Sequence, residues 1–127
     1  MFNKIHHIAI ICSDYQRSKH FYKDILGFKQ TNETFRQERE SYKLDLEING
    51  EYQIELFSFP NSAKRLSYPE ACGLRHLALE VDDVLETYKY LTGKGIITEE
   101  IRVDEITGKR LFFFNDPDGL PIEVYEK

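Results

Sequence analysis

Two histidines and two glutamates at matching positions are the side chains of this sequence best suited to chemistry. Glu55 follows His7 by 48 residues, and Glu123 follows His76 by 47. Each His opens a short apolar segment (HIAII, then HLALE), and each Glu lies inside another (IEL, then IEV). Imidazole nitrogens and carboxylate oxygens are ligands for divalent transition metals. The spacing therefore predicts that each half of the chain supplies one nitrogen donor and one oxygen donor.

The chemistry expected of this set is that of a metal centre. Two carboxylates buried together repel each other and lose hydration, which costs free energy unless a cation compensates. Two nitrogen and two oxygen donors with room for water suit Ni, Co, Zn, Mn or Fe in five or six coordination. Such a metal ion polarises substrate oxygens, and a nearby carboxylate can act as general base. Taken singly, each residue is better explained as an ordinary strand residue, but the repeated spacing favours the metal site.

The elements that must position these residues also repeat along the chain. Four pairs of matching residues lie 68 or 69 positions apart, namely His7 and His76, Asp14 and Asp83, Gly27 and Gly95, and Glu55 and Glu123. Similar patterns at a near-constant offset indicate two copies of one supersecondary unit. Each half is too short to be a domain alone, so we predict a single domain over residues 1–127. Its parts are a first module over about 4–59, a linker over about 60–73 and a second module over about 74–127.

Hydrophobic periodicity and turn residues predict the order β-α-β-β-β in each module. In the first module, a strand at 5–12 leads into a helix capped by Ser13 or Asp14 and stopped by Gly27. Asn49 and Gly50 form a strong hairpin-turn signal. The other predicted strands of this module are 28–31, 41–49 and 52–59. The second module is predicted to have strands at 74–81, 96–103, 110–114 and 120–125, a helix from Asp82 or Asp83 to about Thr92, and a type I turn at 116–119.

Strand alternation places all four candidate ligands on the face away from the helices. Residues two apart in a strand share a face. Apolar neighbours such as Ile54 are expected to face the helix, which leaves Glu55 on the opposite side, and the same holds for His7, His76 and Glu123. We therefore predict an α+β fold in which two tandem βαβββ modules form curved mixed sheets around a central metal site.

Composition excludes several other classes of protein. The chain has 127 residues, is 41% hydrophobic and 31% charged, and carries a net charge of −5. These values describe a globular domain and argue against a nucleic-acid surface, which needs clustered Lys and Arg. No segment approaches the ~20 apolar residues of a membrane span, and no signal peptide is evident. Cys12 and Cys72 are expected to be free thiols, which suits a cytoplasmic protein. The expected partner is a small molecule, with no nucleic acid and no membrane.

Other signals are weaker. Five cationic residues are candidates for an anion clamp or for an ordinary solvated surface: Arg36, Arg39, Lys43, Arg75 and Arg110. Three aromatic residues are candidates for a pocket lining or for core packing: Phe57, Phe59 and Tyr125. Asp14 and Asp83 are interpreted as helix caps.

The chain resembles the vicinal oxygen chelate superfamily, and within it the glyoxalase I branch and small bacterial glyoxalase-like proteins. The resemblance covers nearly the whole chain. It is carried by the opening HIA with DYQRS and FY, by IEL, by GLRHLA, and by DPDG before IE. The superfamily also includes bleomycin resistance proteins and dioxygenases.

The resemblance implies paired βαβββ modules and a metal-dependent lyase or isomerase. His7, Glu55, His76 and Glu123 fall on the metal ligands of glyoxalases, with Ni or Co favoured and Zn, Mn or Fe as alternatives. Glu123 falls on the ligand regarded as the proton-shuttling base and Glu55 on its counterpart, so both are implied to be catalytic. The implied reaction isomerises the hemithioacetal of a 2-oxoaldehyde and a thiol through a metal-held enediolate. A homodimer is implied as well, because related glyoxalases draw ligands from both subunits.

Two positions depart from the glutathione-using members of the family. Ile11 stands where an Arg is common, and Phe59 stands where an Asn is common. An apolar side chain cannot bind the carboxylates of glutathione, so a different thiol or a compact 2-oxo or 2-hydroxy compound is an equal alternative. Other metalloenzymes of the superfamily also stay open as functions, an epimerase or a fosfomycin-type thiol transferase among them. A non-enzymatic small-molecule binding protein is the remaining alternative.

Overall fold

A computed structural model describes all 127 residues of the chain and divides it into two compact units, Met1–Lys64 and Arg65–Lys127. The boundary lies inside the predicted linker. Each unit contains one helical region and four strands in the order β-α-β-β-β, which confirms the α+β class and the two-module organisation. No helix is long and apolar enough to cross a membrane.

The first module places its helix between the first two of its four strands. A π-helical segment over His20–Ile25 continues the α-helix, and a 3-10 turn over Gln37–Arg39 joins two strands. The bounds are β1 at Ile8–Cys12, α1 at Tyr15–Lys19, β2 at Lys29–Arg36, β3 at Ser41–Ile48 and β4 at Glu51–Ser58.

The second module repeats the order with a regular α-helix. Its bounds are β5 at Leu77–Val81, α2 at Val84–Gly93, β6 at Arg102–Val103, β7 at Arg110–Asn115 and β8 at Pro121–Glu126. The turn between the last two strands is closed by a hydrogen bond of 3.1 Å from the Gly119 N–H to the Asp116 carbonyl. The predicted turn is thus confirmed.

Each module forms a four-stranded mixed sheet, with strand orders β1-β4-β3-β2 and β5-β8-β7-β6. The first strand of each module lies parallel to the last, and the other neighbours are antiparallel. The parallel registers match between modules: Ala9 is opposite Glu55, and Ala78 is opposite Glu123. The two glutamates therefore occupy equivalent places in the two sheets.

Alternation along the strands sorts apolar from polar side chains as predicted. In β4, Ile54 and Leu56 are 1% and 0% exposed, and in β8 Ile122 and Val124 are 0% and 2% exposed. Burying an aliphatic side chain of this size stabilises the fold by about 1.5–3 kcal/mol. This buried face fixes the register, because a slip by one residue would expose every one of these side chains.

Several boundaries differ from the prediction. The first strand of each module begins at Ile8 or Leu77, directly after the His, since hydrogen bonding to β4 or β8 begins only there. β2 extends to Arg36, much further than predicted, because it pairs with β3 along its whole length. The strand predicted at 96–103 shrinks to Arg102–Val103, with one isolated bridge at Thr98.

One irregularity in the first hairpin affects the site. Asn49 and Gly50 form the predicted turn, both with positive φ (50° and 82°), as a tight hairpin turn of this kind requires. The register then shifts between Leu46 and Glu47, which leaves Gln53 as an extra residue in β4. This β-bulge allows Tyr52 and Glu55, three residues apart, to lie on the same face of the sheet.

Candidate metal centre

The structure brings His7 and Glu55 together in the first module. His7 lies one residue before β1, and Glu55 lies in the parallel neighbour β4. The His7 Nε2 atom is 3.0 Å from Glu55 Oε2. Glu55 is only 8% exposed, although it is ionisable. A nitrogen and an oxygen donor thus meet at the end of the first strand, as alternation predicts.

Glu55 has two further partners. Its Oε1 atom accepts a hydrogen bond from Lys43 Nζ at 2.9 Å and another from the Tyr52 hydroxyl. Lys43 also pairs with Asp45 at 3.0 Å. The carboxylate therefore already has a cation and a neutral donor beside it.

These contacts determine the protonation of the cluster. Burial raises the pKa of Glu55, but the hydrogen bonds from Tyr52 and Lys43 and the nearby positive charge outweigh burial, so that its pKa lies below the usual value. The hydrogen bond to Glu55 is also the main cause of a raised pKa of Lys43. Burial and then the same carboxylate raise the pKa of Tyr52. At neutral pH Glu55 is therefore anionic, Lys43 is cationic and Tyr52 keeps its proton.

The second module brings His76 and Glu123 together in the same way. The His76 Nε2 atom is 3.2 Å from Glu123 Oε2, and the two side chains are 36% and 14% exposed. The His76 ring meets the Phe113 ring edge-on, with 5.2 Å between centroids. Glu123 has no Lys or Arg partner.

The donor chemistry of both pairs fits a divalent metal ion. Each pair offers one imidazole nitrogen and one carboxylate oxygen at nearly equal separation, and in each pair the Glu is more buried than the His. The predicted ligands are brought together only as these two pairs. Nowhere do three or more His, Cys, Asp or Glu side chains group closely enough to hold a metal ion.

Sequence reasoning missed two residues of the first pair's surroundings. Tyr52 was not singled out, and Lys43 was considered only as part of an anion clamp. The signal for Lys43 is its register: it lies opposite Phe57 in the sheet and so shares a face with Glu55. Tyr52 could not be found this way, because only the bulge turns it to that face. His6 contacts His7 as well, with 2.8 Å between their Nδ1 atoms, and both residues precede the first strand.

Both predicted helix caps are confirmed. The Asp14 carboxylate accepts a hydrogen bond from the Arg17 N–H at 3.1 Å, and that of Asp83 accepts one from the Glu86 N–H at 3.0 Å. Each Asp satisfies a backbone donor that the first turn of a helix otherwise leaves open. Their role is to anchor the helix that follows the first strand of each module.

Known proteins share this arrangement of modules. The chain is 58% identical to the uncharacterized protein YwkD of Bacillus subtilis over 127 residues, which cover 100% of this chain and 99% of YwkD. It is 30% identical to the metallothiol transferase FosB of Staphylococcus saprophyticus over 131 residues, which cover 98% of this chain and 78% of FosB. Among solved structures, a glyoxalase family protein from Enterococcus faecalis is 48% identical with a TM-score of 0.90, covering 98% of both chains.

The family assignment rests on the whole length of the chain. Residues 4–124 match the family model described as the Glyoxalase/Bleomycin resistance protein/Dioxygenase superfamily. The match includes both His–Glu pairs and both helix caps. The chain therefore belongs to the glyoxalase/bleomycin resistance protein/dioxygenase superfamily.

Proposed function

We propose that this protein is a divalent-metal-dependent lyase or isomerase of glyoxalase I type. The observation that carries the proposal is the pair of matching His–Glu contacts, His7–Glu55 at 3.0 Å and His76–Glu123 at 3.2 Å. Each His–Glu pair would supply metal ligands, with Ni or Co favoured over Zn, Mn or Fe. The bound ion would polarise two neighbouring oxygens of the substrate and so stabilise negative charge on them.

The two glutamates differ in their fitness as base. Glu55 is held as an anion by Lys43 and Tyr52, which weakens it as a proton acceptor. Glu123 contacts His76 but no Lys or Arg, and so Glu123 is the better base. In the proposed reaction its carboxylate takes the proton from the carbon that bears sulfur and returns it to the adjacent carbon. The hemithioacetal becomes a 2-hydroxy thioester, and no atoms are gained or lost.

The substrate is proposed to be a small 2-oxoaldehyde–thiol adduct or a related 2-oxo or 2-hydroxy compound. Ile11, at the place of a glutathione-binding Arg, is 55% exposed and offers no charge. Phe59, at the place of a glutathione-binding Asn, has no polar side-chain atom either. Both positions favour a thiol other than glutathione.

The decisive experiment combines methylglyoxal with several low-molecular-weight thiols under Ni, Co, Zn and Mn, and follows thioester formation. We expect activity with at least one metal and one thiol. Glu123→Gln should lower kcat about 100-fold or more, as loss of a general base does, and Glu55→Gln should lower it less. Equal activity of Glu123→Gln and the parent protein would overturn the assignment of the base.

A second function is favoured by the contacts of Lys43 and Tyr52 with the Glu55 carboxylate. If Lys43 and Tyr52 keep that carboxylate, then His7, His76 and Glu123 remain as a three-ligand set. That set suits a thiol transferase, which is the activity in the name of the 30% identical FosB. Transfer of a thiol to an electrophilic epoxide, followed as loss of free thiol, would separate this function from isomerisation.

Enzymatic activity itself, the cytoplasm as the location and a homodimer as the assembly are part of the proposal. A purified protein that binds no divalent metal and transforms none of these substrates would instead be a small-molecule binding protein. The dimer is tested by light scattering during size-exclusion chromatography. A monomer at all concentrations would contradict it.

A further inference from the structure

Two arginines of the first module lie over neighbouring aromatic rings. The Arg36 guanidinium is 4.9 Å from the centre of the Phe57 ring and 5.6 Å from that of Phe59. The Arg39 guanidinium is 4.9 Å from the Phe59 ring. The two rings are stacked, with centroids 5.9 Å apart and planes within 9°. We call these four side chains the Arg–Phe patch.

Neither arginine of the patch has a counter-ion. The sequence contains Glu38 and Glu40 in the same turn, but no ion pair joins them to Arg36 or Arg39. Arg36 Nη2 donates to Ser41 Oγ at 3.0 Å, and its buried Nε atom has no hydrogen-bond partner. A buried donor without an acceptor is rare in folded proteins and destabilises them by about 1–3 kcal/mol.

The other cations proposed for an anion clamp are neutralised. Lys43 pairs with Asp45 and Glu55, and the Arg110 Nη2 atom is 2.6 Å from Glu126. Arg75 lies 4.0 Å from Glu70. Of the five residues, only the two of the patch therefore have positive charge available for a ligand.

The patch shares a face of the sheet with Glu55. Phe57 lies two residues beyond Glu55 in β4, and Arg36 at the end of β2 is opposite Ser41 in β3. Two residues along a strand span about 7 Å. A small molecule bound at Glu55 that extends across Phe57 would therefore reach the guanidinium groups.

We propose that Arg36 and Arg39 bind an anionic oxygen group of the substrate, a carboxylate or a phosphate-type group, above the rings of Phe57 and Phe59. A guanidinium offers parallel N–H donors that match two oxygens of such a group, and the rings hold the guanidinium planes in place. The bound anion supplies the missing counter-charge. This inference rests on the proposed function for the identity of its ligand as substrate, and it adds that the substrate is an anion.

The test is a titration of metal-free protein with inorganic phosphate and, separately, with acetate. Chelator must be removed first, because it is itself a polyanion. The Nε–H signal of each arginine in nuclear magnetic resonance spectra shows whether that particular arginine contacts the anion. We expect the signals of Arg36 and Arg39 to shift with one or both anions, and the stronger of the two identifies the substrate group.

Variants separate the patch from general electrostatics. Arg36→Gln and Arg39→Gln should each weaken binding of the preferred anion at least tenfold, through loss of a charge-assisted hydrogen bond. Arg102→Gln is the matched control, because Arg102 also lies over a ring (Phe113, 5.5 Å) but is paired with Glu99 at 3.4 Å. Arg36→Lys keeps the charge and guards against a folding defect, and it should retain part of the affinity.

The outcomes distinguish this inference from the proposed function. The anion site would be overturned if neither phosphate nor acetate binds. It would also be overturned if Arg36→Gln, Arg39→Gln and Arg102→Gln bind the preferred anion with equal affinity. A divalent-metal titration of the same preparation tests the metal centre separately. Arginine-dependent anion binding without metal affinity would uphold the patch and overturn the metalloenzyme.

Discussion

The two His–Glu pairs have nearly the same geometry but opposite surroundings. In the first, Glu55 is contacted by Lys43 and Tyr52. In the second, Glu123 has no Lys or Arg partner, and its His neighbour packs against Phe113. Duplication kept the donors and changed what surrounds them. A metal ion would replace an ammonium group at Glu55, whereas at Glu123 it would meet a carboxylate without such a competitor.

The difference arises from single positions of the paired strands. Asp45 lies opposite Glu55 in the first sheet, and Phe113 lies opposite Glu123 in the second. Lys43 lies opposite Phe57, whereas Leu111 lies opposite Tyr125. A charged pair in the first module thus matches an apolar pair in the second. Equivalent strand positions can therefore support one carboxylate that is paired with a lysine and one that is not.

The largest expected effect is a difference in metal affinity between variants of the two His–Glu pairs. Glu123→Gln should weaken metal binding by more than the roughly 10–100-fold typical of residues that only support a ligand. Glu55→Gln should weaken it less, because wild-type metal binding must first displace Lys43. Isothermal titration with Ni, Co, Zn and Mn measures both. Equal losses would show that Lys43 does not compete, and His7→Ala serves as the reference for loss of a proposed nitrogen donor.

Removal of the Lys43 ammonium group, which competes with the metal ion for Glu55, should raise metal affinity. Lys43→Met frees Glu55, and we expect metal affinity to rise about tenfold, which corresponds to 1.4 kcal/mol. The same variant should destabilise the metal-free protein by about 1–3 kcal/mol, because Glu55 and Asp45 lose their shared cation. Titration calorimetry and urea unfolding check the two parts.

The matched control for this variant is Lys19→Met. Lys19 is also paired with a carboxylate, Glu33, at 2.6 Å, but that carboxylate belongs to neither His–Glu pair. Its metal affinity should equal that of the parent. Weaker metal binding by Lys43→Met would mean that Lys43 supports Glu55 as a ligand.

Removal of the helix cap should lower stability by a similar amount in both modules. Asp14→Ala and Asp83→Ala each remove a hydrogen bond to the first helical turn, of 3.1 Å and 3.0 Å. Each should lower the free energy of unfolding by about 1 kcal/mol, with metal affinity unchanged. Urea unfolding measures this. A much larger loss in one module would show that its helix contributes more to the fold.

The smallest effect concerns an exposed ion pair of the second module. Hydrogen bonds from Arg110 lower the pKa of Glu126 from 4.5 to about 2. A carboxyl group whose pKa is lower in the folded state stabilises the fold above its unfolded pKa, and this stabilisation disappears as the pH falls from about 4.5 to about 2. Arg110→Gln should therefore show a shallower loss of stability between pH 5 and about pH 2. Arg102→Gln, paired only with Glu99, is the comparison variant.

The sequence alone was sufficient to predict the modules, the caps and the shared face of each His and Glu, because each depends on local patterns. Alternation of buried residues such as Ile54 and Leu56 determines the side on which Glu55 lies. The contact of Tyr52 with Glu55 could not be predicted, since it depends on a bulge at Gln53 that no composition signal marks. The lack of a counter-ion at Arg36 and Arg39 could not be predicted either. It depends on where the Asp and Glu side chains lie in the folded chain.

The π-helical segment of the first module accounts for a one-residue mismatch between the two copies. The repeat offset is 69 at the caps Asp14 and Asp83 and 68 at Gly27 and Gly95, so the first helical region is one residue longer. The closing hydrogen bond runs from the Phe28 N–H to the Tyr22 carbonyl in one copy and from the Ile96 N–H to the Leu91 carbonyl in the other. The first bond therefore encloses one residue more.

A wider helical turn is how an α-helix accommodates an inserted residue without unwinding. The segment over His20–Ile25 thus accommodates the one residue by which the first helical region exceeds the second. Deletion of the exposed Lys23 should return the segment to a regular α-helix in a folded protein, which circular dichroism and thermal unfolding would show. The offset stays at 68 from Gly27 and Gly95 to Glu55 and Glu123, so the extra residue of the first helical region does not displace the strand that carries Glu55.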